Sequence, residues 1–253
     1  MLLCDAHLHA SDCKFLPEND INKTYAGVSC AHSTEEWNVQ AKLTAEHKFF
    51  FNAFGIHPQL PDMRNLTMLE TLLQSKKIVA VGETGFDFFT ESFRADRLRQ
   101  EEAWSSSLEL AFEYSVPIII HNRKALDLMF AYSDRLRKLP SVIFHSFAFS
   151  SREAESLLRH GINAFFSFGK PILNNNKKSI DCIENLPLNR ILMETDAPYQ
   201  TLKGESATSP SEIELVYNKA IELRKVDRNL FEQAVSENFC SAYNISRESL
   251  TAS

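Results

Sequence analysis

The sequence predicts an α/β fold, a single (β/α)8 barrel domain covering residues 1–253. Three observations predict it. Eight short apolar runs of strand length alternate with helix-like segments along the whole chain. The length, 253 residues, matches the roughly 250 that one such barrel usually takes. No GxGxxG or GK[ST] phosphate loop follows an early strand, as an open doubly wound sheet would usually require.

The strands are expected at residues 2–5, 25–31, 49–56, 78–81, 116–120, 141–144, 163–168 and 191–193. Several of these runs are rich in Val, Ile and Phe, which suits parallel strands covered on both faces. The first helix opens at Thr34, with Ser33 or Thr34 as its N-cap. A second helix reads across 67–74. The longest spans 95–114 and carries Leu98, Trp104, Leu108, Ala111 and Phe112 as an apolar stripe. Helices at 124–137 and 151–160 follow, the latter stopped by Gly161. A short one is expected at 179–185, one at 211–223 after Pro210, and a last one at 229–243. Between His9 and the second strand the chain is short and holds Pro17, so the first barrel helix is expected to be reduced.

No linker, repeat or low-complexity segment divides the chain. The apolar fraction is 44% and the charged fraction 24%, ordinary values for a globular protein. Cys4, Cys13, Cys30, Cys182 and Cys240 are odd in number and contain no CxxC pair, which reads as reduced thiols. The start of the chain has neither the basic region nor the apolar stretch of a secretory leader, and no run is long enough for a membrane span. The expected location is therefore cytoplasmic. The net charge of −6 argues against coating nucleic acid by bulk electrostatics. Metal ions and a few local cations can still hold a phosphate. The 19 phenylalanines are expected to pack between layers.

Chemistry is expected at the C-terminal ends of barrel strands. The chain opens Asp5-Ala6-His7-Leu8-His9, and alternate residues of a strand point to the same side. His7 and His9 can therefore reach one point. Alone, such a pair among eight histidines means little. However, Glu83, His121, His145 and Asp196 also follow apolar runs, the fourth, fifth, sixth and eighth. In a closed barrel these ends ring one cavity. Four imidazoles and two carboxylates exceed what one ion needs. They fit two divalent ions ~3.5–4 Å apart, with Glu83 as the bridge because its two oxygens can serve separate ions.

The motifs together resemble the TatD-type metal-dependent hydrolases of the amidohydrolase superfamily. The matching segments are Asp5-Ala6-His7-Leu8-His9, Gly55-Ile56-His57-Pro58, the stretch from Val81 to Phe88, the stretch from Pro117 to Arg123, His145-Ser146-Phe147, the stretch from Glu194 to Tyr199, and Glu237-Asn238-Phe239. The resemblance implies a (β/α)8 barrel and metal-dependent hydrolysis, often of DNA phosphodiesters. It implies metal ligation by His7, His9, Glu83, His121, His145 and Asp196, and marks His57 as an active-site residue. The segment 202–210 is shorter and less basic than the family's corresponding loop.

On this reading Asp196 accepts a proton from the attacking water. His57 either touches the substrate or hydrogen-bonds behind the site. Arg123 either pairs with phosphate or, as the favoured alternative, forms an internal ion pair with Glu194 or Asp87. Lys170 and Lys203 are looser phosphate candidates. Asp5 and Glu194 are expected beside the site or inside the barrel, and Cys4 in the core. The expected function is a two-metal deoxyribonuclease of 3′–5′ exonuclease type acting on single strands or strand ends, with Mg, Mn or Zn as the ion. The alternatives are a deacylase or amidohydrolase acting on an amide or aminoacyl ester, and a non-catalytic binding protein. No membrane or obligate protein partner is expected.

Overall fold

The computed structural model describes residues 2–18, 24–47 and 49–250. All eight expected runs are strands: β1 Leu2–Leu8, β2 Thr24–Ala31, β3 Phe50–Phe54, β4 Ala80–Asp87, β5 Ile118–Arg123, β6 Val142–Phe144, β7 Ala164–Phe168 and β8 Ile191–Met193. They form one sheet in sequence order, each parallel to the next. The sheet closes between its ends just beyond β8. The Asp196 N–H donates to the His7 carbonyl (2.9 Å), and the His9 N–H donates to the Ala197 carbonyl (2.8 Å). Candidate site residues thus form the seam of the barrel.

The helices are α1 Thr34–Glu46, α2 Leu66–Gln74, α3 Glu91–Ala95, α4 Arg97–Glu113, α5 Leu126–Ala131, α6 Ser133–Leu136, α7 Ser151–Arg159, α8 Lys177–Asn185, α9 Ile213–Arg224 and α10 Arg228–Tyr243. Local chemistry sets many of their ends. The Ser33 side chain accepts from the Glu36 N–H, Ser150 and Glu153 form a capping box, and Asp227 caps α10. Between β1 and β2 the described residues hold only a 3-10 turn, Ala10–Asp12, in keeping with the reduced first helix. No helix among the described residues is long and apolar enough to cross a membrane.

Several boundaries differ from expectation. Strands β1 and β5 run on to Leu8 and Arg123, three residues beyond their expected ends, so His7 and His121 lie within strands. The helix expected at 95–114 begins only at Arg97 and is preceded by the separate α3, whose Thr90 cap accepts from the Phe93 N–H. Leu98, placed in its apolar stripe, is 79% exposed. The helix expected at 124–137 begins only at Leu126, because Asn122 holds the Ala125 N–H and carbonyl in a turn before it, and it is two short helices divided at Tyr132. Strand β4 does not stop at Val81 but continues to Asp87, so Glu83 lies within a strand rather than after one. The polar residues Glu83, Thr84 and Asp87 are fully or almost fully buried there, which hides the strand from a reading of apolar runs. Gly85 makes the extension feasible: its φ is +134°, and a Cβ would sit 2.3 Å from the His121 carbonyl oxygen.

Two apolar layers hold the barrel. Leu3, Phe54, Val81, Ile118, Ile120, Phe144, Phe166 and Met193 pack outward against the helices. Cys4, Ala6, Val28, Ala53, Ile119, Ile143, Phe165 and Leu192 belong to an inner cluster that Phe239 and Tyr243 of α10 join. A register shift between Asp5 and Leu8 changes the alternation of β1. Ala6 stays with the inner cluster, Leu8 joins the outer one, and His7 and His9 reach the site. Most phenylalanines are indeed buried, although Phe89 is 51% exposed.

Asn238 ties α10 to the start of β8. Its amide donates to the carbonyls of Leu188 (2.8 Å) and Ile191 (2.7 Å). Asn238→Leu leaves both acceptors without this donor, at a cost of about 1–3 kcal/mol. The expected result is a lower urea midpoint with an unchanged slope. An unchanged midpoint would remove Asn238 from the list of structural ties.

Candidate metal centre

Glu83 sits at the centre of the site, 2% exposed, and its two oxygens divide the histidines between them. The Nε2 atoms of His7 and His9 lie 3.1 and 3.3 Å from Oε1. His121 Nδ1 and His145 Nε2 lie 3.3 and 2.7 Å from Oε2. Asp196 Oδ1 stands 3.6 Å from His7 Nε2 and 3.4 Å from His9 Nε2. The structure therefore brings all six expected ligands together. Asp196 has φ of +54°, a left-handed conformation that Asp tolerates better than most residues. The Asp196 N–H bond to His7 helps hold it there.

A second set of groups aims the ligands. Asp87 Oδ2 lies 3.0 Å from His121 Nε2 and also accepts from the Gln59 side-chain amide (2.8 Å). With its Nε2 proton given to Asp87, His121 presents the Nδ1 lone pair to the site, the usual carboxylate–histidine arrangement behind a metal ligand. Cys30 Sγ lies 3.3 Å from His7 Nδ1. Glu194 faces His145 Nδ1 at 3.9 Å and accepts from the Ser167 hydroxyl and from Gln200. Asp5 accepts from Tyr25, from the Thr195 hydroxyl and N–H, and from the His7 N–H, binding β1 to the segment after β8.

Two further imidazoles complete a ring around Glu83. His57 Nε2 lies 3.6 Å from Oε2, and His57 Nδ1 accepts from the Gln59 N–H (3.2 Å). His32 Nε2 lies 3.3 Å from Oε1, and its Nδ1 lies 3.4 Å from Glu36. His32 is absent from the sequence-based set. The rule that selected the others applies to it equally, since it directly follows the second apolar run.

The other candidates are sorted by the structure. Arg123 lies 3.9 Å from Asp87, not beside Glu194, and its guanidinium stacks 4.0 Å over the Phe89 ring. Lys170 is buried and bound to Glu205, Glu212 and Thr208, so it is not a free phosphate cation. Lys203 is exposed and does not line the cavity. Cys4 is core, as expected. The cavity over Glu83 is about 560 Å³, and Arg123 is the single Lys or Arg lining it among the described residues.

Imidazole nitrogens and carboxylate oxygens converging on one buried point suit ions of the zinc, manganese, cobalt and iron group. Buried acceptors already oriented, such as His121 Nδ1, fit that reading. Electrostatics add a proton cost. Burial opposes charging of His145, but the Glu83 carboxylate outweighs it and pushes the pKa up to about 9. His9 is likewise raised: burial lowers it, and Asp196 and Glu83 more than compensate. Burial lowers His7 to about 4. A ligand nitrogen must be deprotonated to accept an ion. Ion uptake near neutral pH therefore expels protons from His145 and His9, and affinity climbs as pH rises toward about 9. Calorimetry in two buffers of different ionisation heat should report net proton release. Heats independent of the buffer would rule this out.

Comparison with known proteins agrees with the geometry. A family model described as "TatD related DNase" matches residues 4–244. The chain is 30% identical to the "Uncharacterized metal-dependent hydrolase YabD" of Bacillus subtilis, over 78% of each chain. It is 32% identical to the "3'-5' ssDNA/RNA exonuclease TatD" of Enterobacter lignolyticus, over 62% of this chain and 61% of that one. Among solved structures it is similar to YjjV, a TatD homologue of Escherichia coli, with a TM-score of 0.78 and 27% identity over 87% of each chain.

Proposed function

Because the chain belongs to the TatD related DNase family, we propose that this metal-dependent hydrolase is a deoxyribonuclease that shortens DNA from a strand end with 3′-to-5′ polarity. The observation that carries the metal-dependent hydrolysis is the division of the Glu83 oxygens between two histidine pairs. His7, His9 and Asp196 would hold one ion and His121 and His145 another, with Glu83 shared, and the choice of DNA rests on the relative named as an exonuclease.

When bound, such ions polarise the electrophile and make water acidic enough to ionise near neutral pH. The protein's own groups do the rest. Asp196 faces the cavity from the barrel seam, held by its own N–H bond. It orients the attacking water and accepts its proton. His57 lines the same cavity with Nε2 facing the space beside Glu83, and is the second residue proposed to act on the substrate. Arg123 stands at the wall with its fork anchored by Asp87 and Phe89, where it can pair with a phosphate oxygen. The cavity's inner end is blocked by the core, so a strand end enters more readily than the middle of a duplex. The named activity of the Enterobacter relative supports this substrate.

One observation favours a second reading, an amide or aminoacyl-ester deacylase. Lys170 is neutralised by Glu205 and Glu212, which leaves the cavity with Arg123 as its sole lining Lys or Arg among the described residues. The test is hydrolysis of end-labelled single-stranded DNA and of an aminoacyl ester by chelator-stripped protein, with Mg or Mn restored. Stepwise shortening from the 3′ end with restored metal is the expected result. Ester cleavage with intact DNA would transfer the assignment to the deacylase.

A further inference from the structure

We infer that Tyr199 is the platform on which the base of the strand's terminal nucleotide stacks, in a subsite suited to a nucleoside with no phosphate beyond the one attacked. The inference rests on the nuclease reading above and deepens it. Tyr199 is 51% exposed and lines the cavity. Apart from histidines it is the one aromatic residue to do so among the described residues. A single exposed ring on a protein surface is ordinary, but this one is held. Its N–H donates to the Asp196 carbonyl (2.7 Å), and its hydroxyl donates to Asp12 (2.8 Å). The ring meets His9 edge to face, with 5.0 Å between centroids. The surface left open is that of a ring already fixed beside the Glu83 centre, and a fixed platform spares a ligand the cost of ordering it.

Charge divides the mouth of the cavity. On the β1–β2 side, beside Tyr199, Asp12 and Glu36 line the wall. In a ring of eight strands in sequence order, β4 and β5 stand opposite the seam between β8 and β1. Arg123 ends β5 and lines the cavity there. It and the adjacent Lys124 lie 4.0 and 4.5 Å over the Phe89 ring. Nucleic acid carries a negative charge on each phosphate. The part of the strand that continues from the attacked bond therefore lies toward Arg123 and Lys124.

The nucleoside at a free 3′ end differs from all others in the strand, because no phosphate follows it. It alone suits the wall of Asp12 and Glu36, and its base there meets the Tyr199 ring. Every base has a π-face, so such stacking holds the end without choosing among bases. A 3′-phosphate would set a further negative charge against the two carboxylates, and such an end is disfavoured.

The test compares single-stranded oligonucleotides with three kinds of 3′ end: an ordinary nucleotide, the same residue without its base, and an ordinary nucleotide bearing a 3′-phosphate. The kcat/KM for the first bond cleaved is measured with the manganese-loaded full chain. The wild type should prefer the ordinary end to the abasic one by ~5–150-fold, the worth of one stacked base, and chiefly through KM. Tyr199→Ala should lose this preference, and Tyr199→Phe, which keeps the ring, should retain most of it. Each preference is a ratio within one protein, so a smaller folded fraction does not alter it. The 3′-phosphate end should be cleaved ~5-fold more slowly or worse. Asp12→Asn, which still offers the Tyr199 hydroxyl an acceptor, should narrow that gap and keep the base preference. Equal base preference in the wild type and Tyr199→Ala, no base preference in the wild type, or equal cleavage of the phosphorylated end would overturn the inference while leaving the nuclease reading in place. No cleavage of any strand would overturn the nuclease reading and this subsite with it.

Discussion

Glu83→Ala is expected to abolish turnover, with a loss of about 10³–10⁴-fold, the several kcal/mol that ion-assisted charge stabilisation supplies. The size of the effect follows from position. Every candidate ligand pair uses one of the two Glu83 oxygens, so its removal damages both halves together. His145 also loses the carboxylate that raises its pKa to about 9, and the imidazoles that remain lose their shared counter-charge. Metal content should fall with activity, while the apolar layers around the barrel keep the fold. Rate measured beside metal content separates the two effects. Retained ions at full stoichiometry with full activity would show that Glu83 is no bridge.

Asp196→Asn is expected to separate binding from chemistry. Asparagine keeps the size, an oxygen ligand and tolerance of the left-handed backbone at φ +54°. It cannot take up a proton. Metal content should therefore stay near that of the wild type while turnover falls about 10²–10⁴-fold, the range for a lost general base. The KM should change little, because Asp196 is not proposed to bind the substrate. Loss of one ion with proportionate loss of rate would make Asp196 a ligand first. Unchanged turnover would remove it from the chemistry.

Much of the fold was legible because burial writes itself into composition. Strands covered on both faces must be apolar, and residues such as Ile118 to Ile120 or Val142 to Phe144 have no polar member. The reading failed where burial and polarity coincide. Strand β4 runs through Glu83, Thr84 and Asp87. Glu83 and Asp87 are tolerated inside because they meet the imidazoles of His145 and His121, while the buried Thr84 hydroxyl has no hydrogen-bond partner among the described residues. The short α3 and the exposure of Leu98 were also missed; a helix of five residues is too short for a helical period to show in the sequence. Lys170 looked like a phosphate cation on its loop, and only the folded chain brings Glu205 and Glu212 against it.

The sequence by itself determined the barrel, the order of its strands and the six residues that meet at its mouth. Their spacing after apolar runs is a local property, and barrel closure carries local positions to one place. Tertiary structure alone decided how those residues share the Glu83 oxygens, that Asp87 stands behind His121 and Glu36 behind His32, and how closely His32 and His57 approach Glu83. These are matters of ångströms between side chains from different strands. They depend on the register shift in β1, the glycine-dependent path of β4 and the hydrogen bonds that close the seam, none of which a linear pattern of residue types encodes.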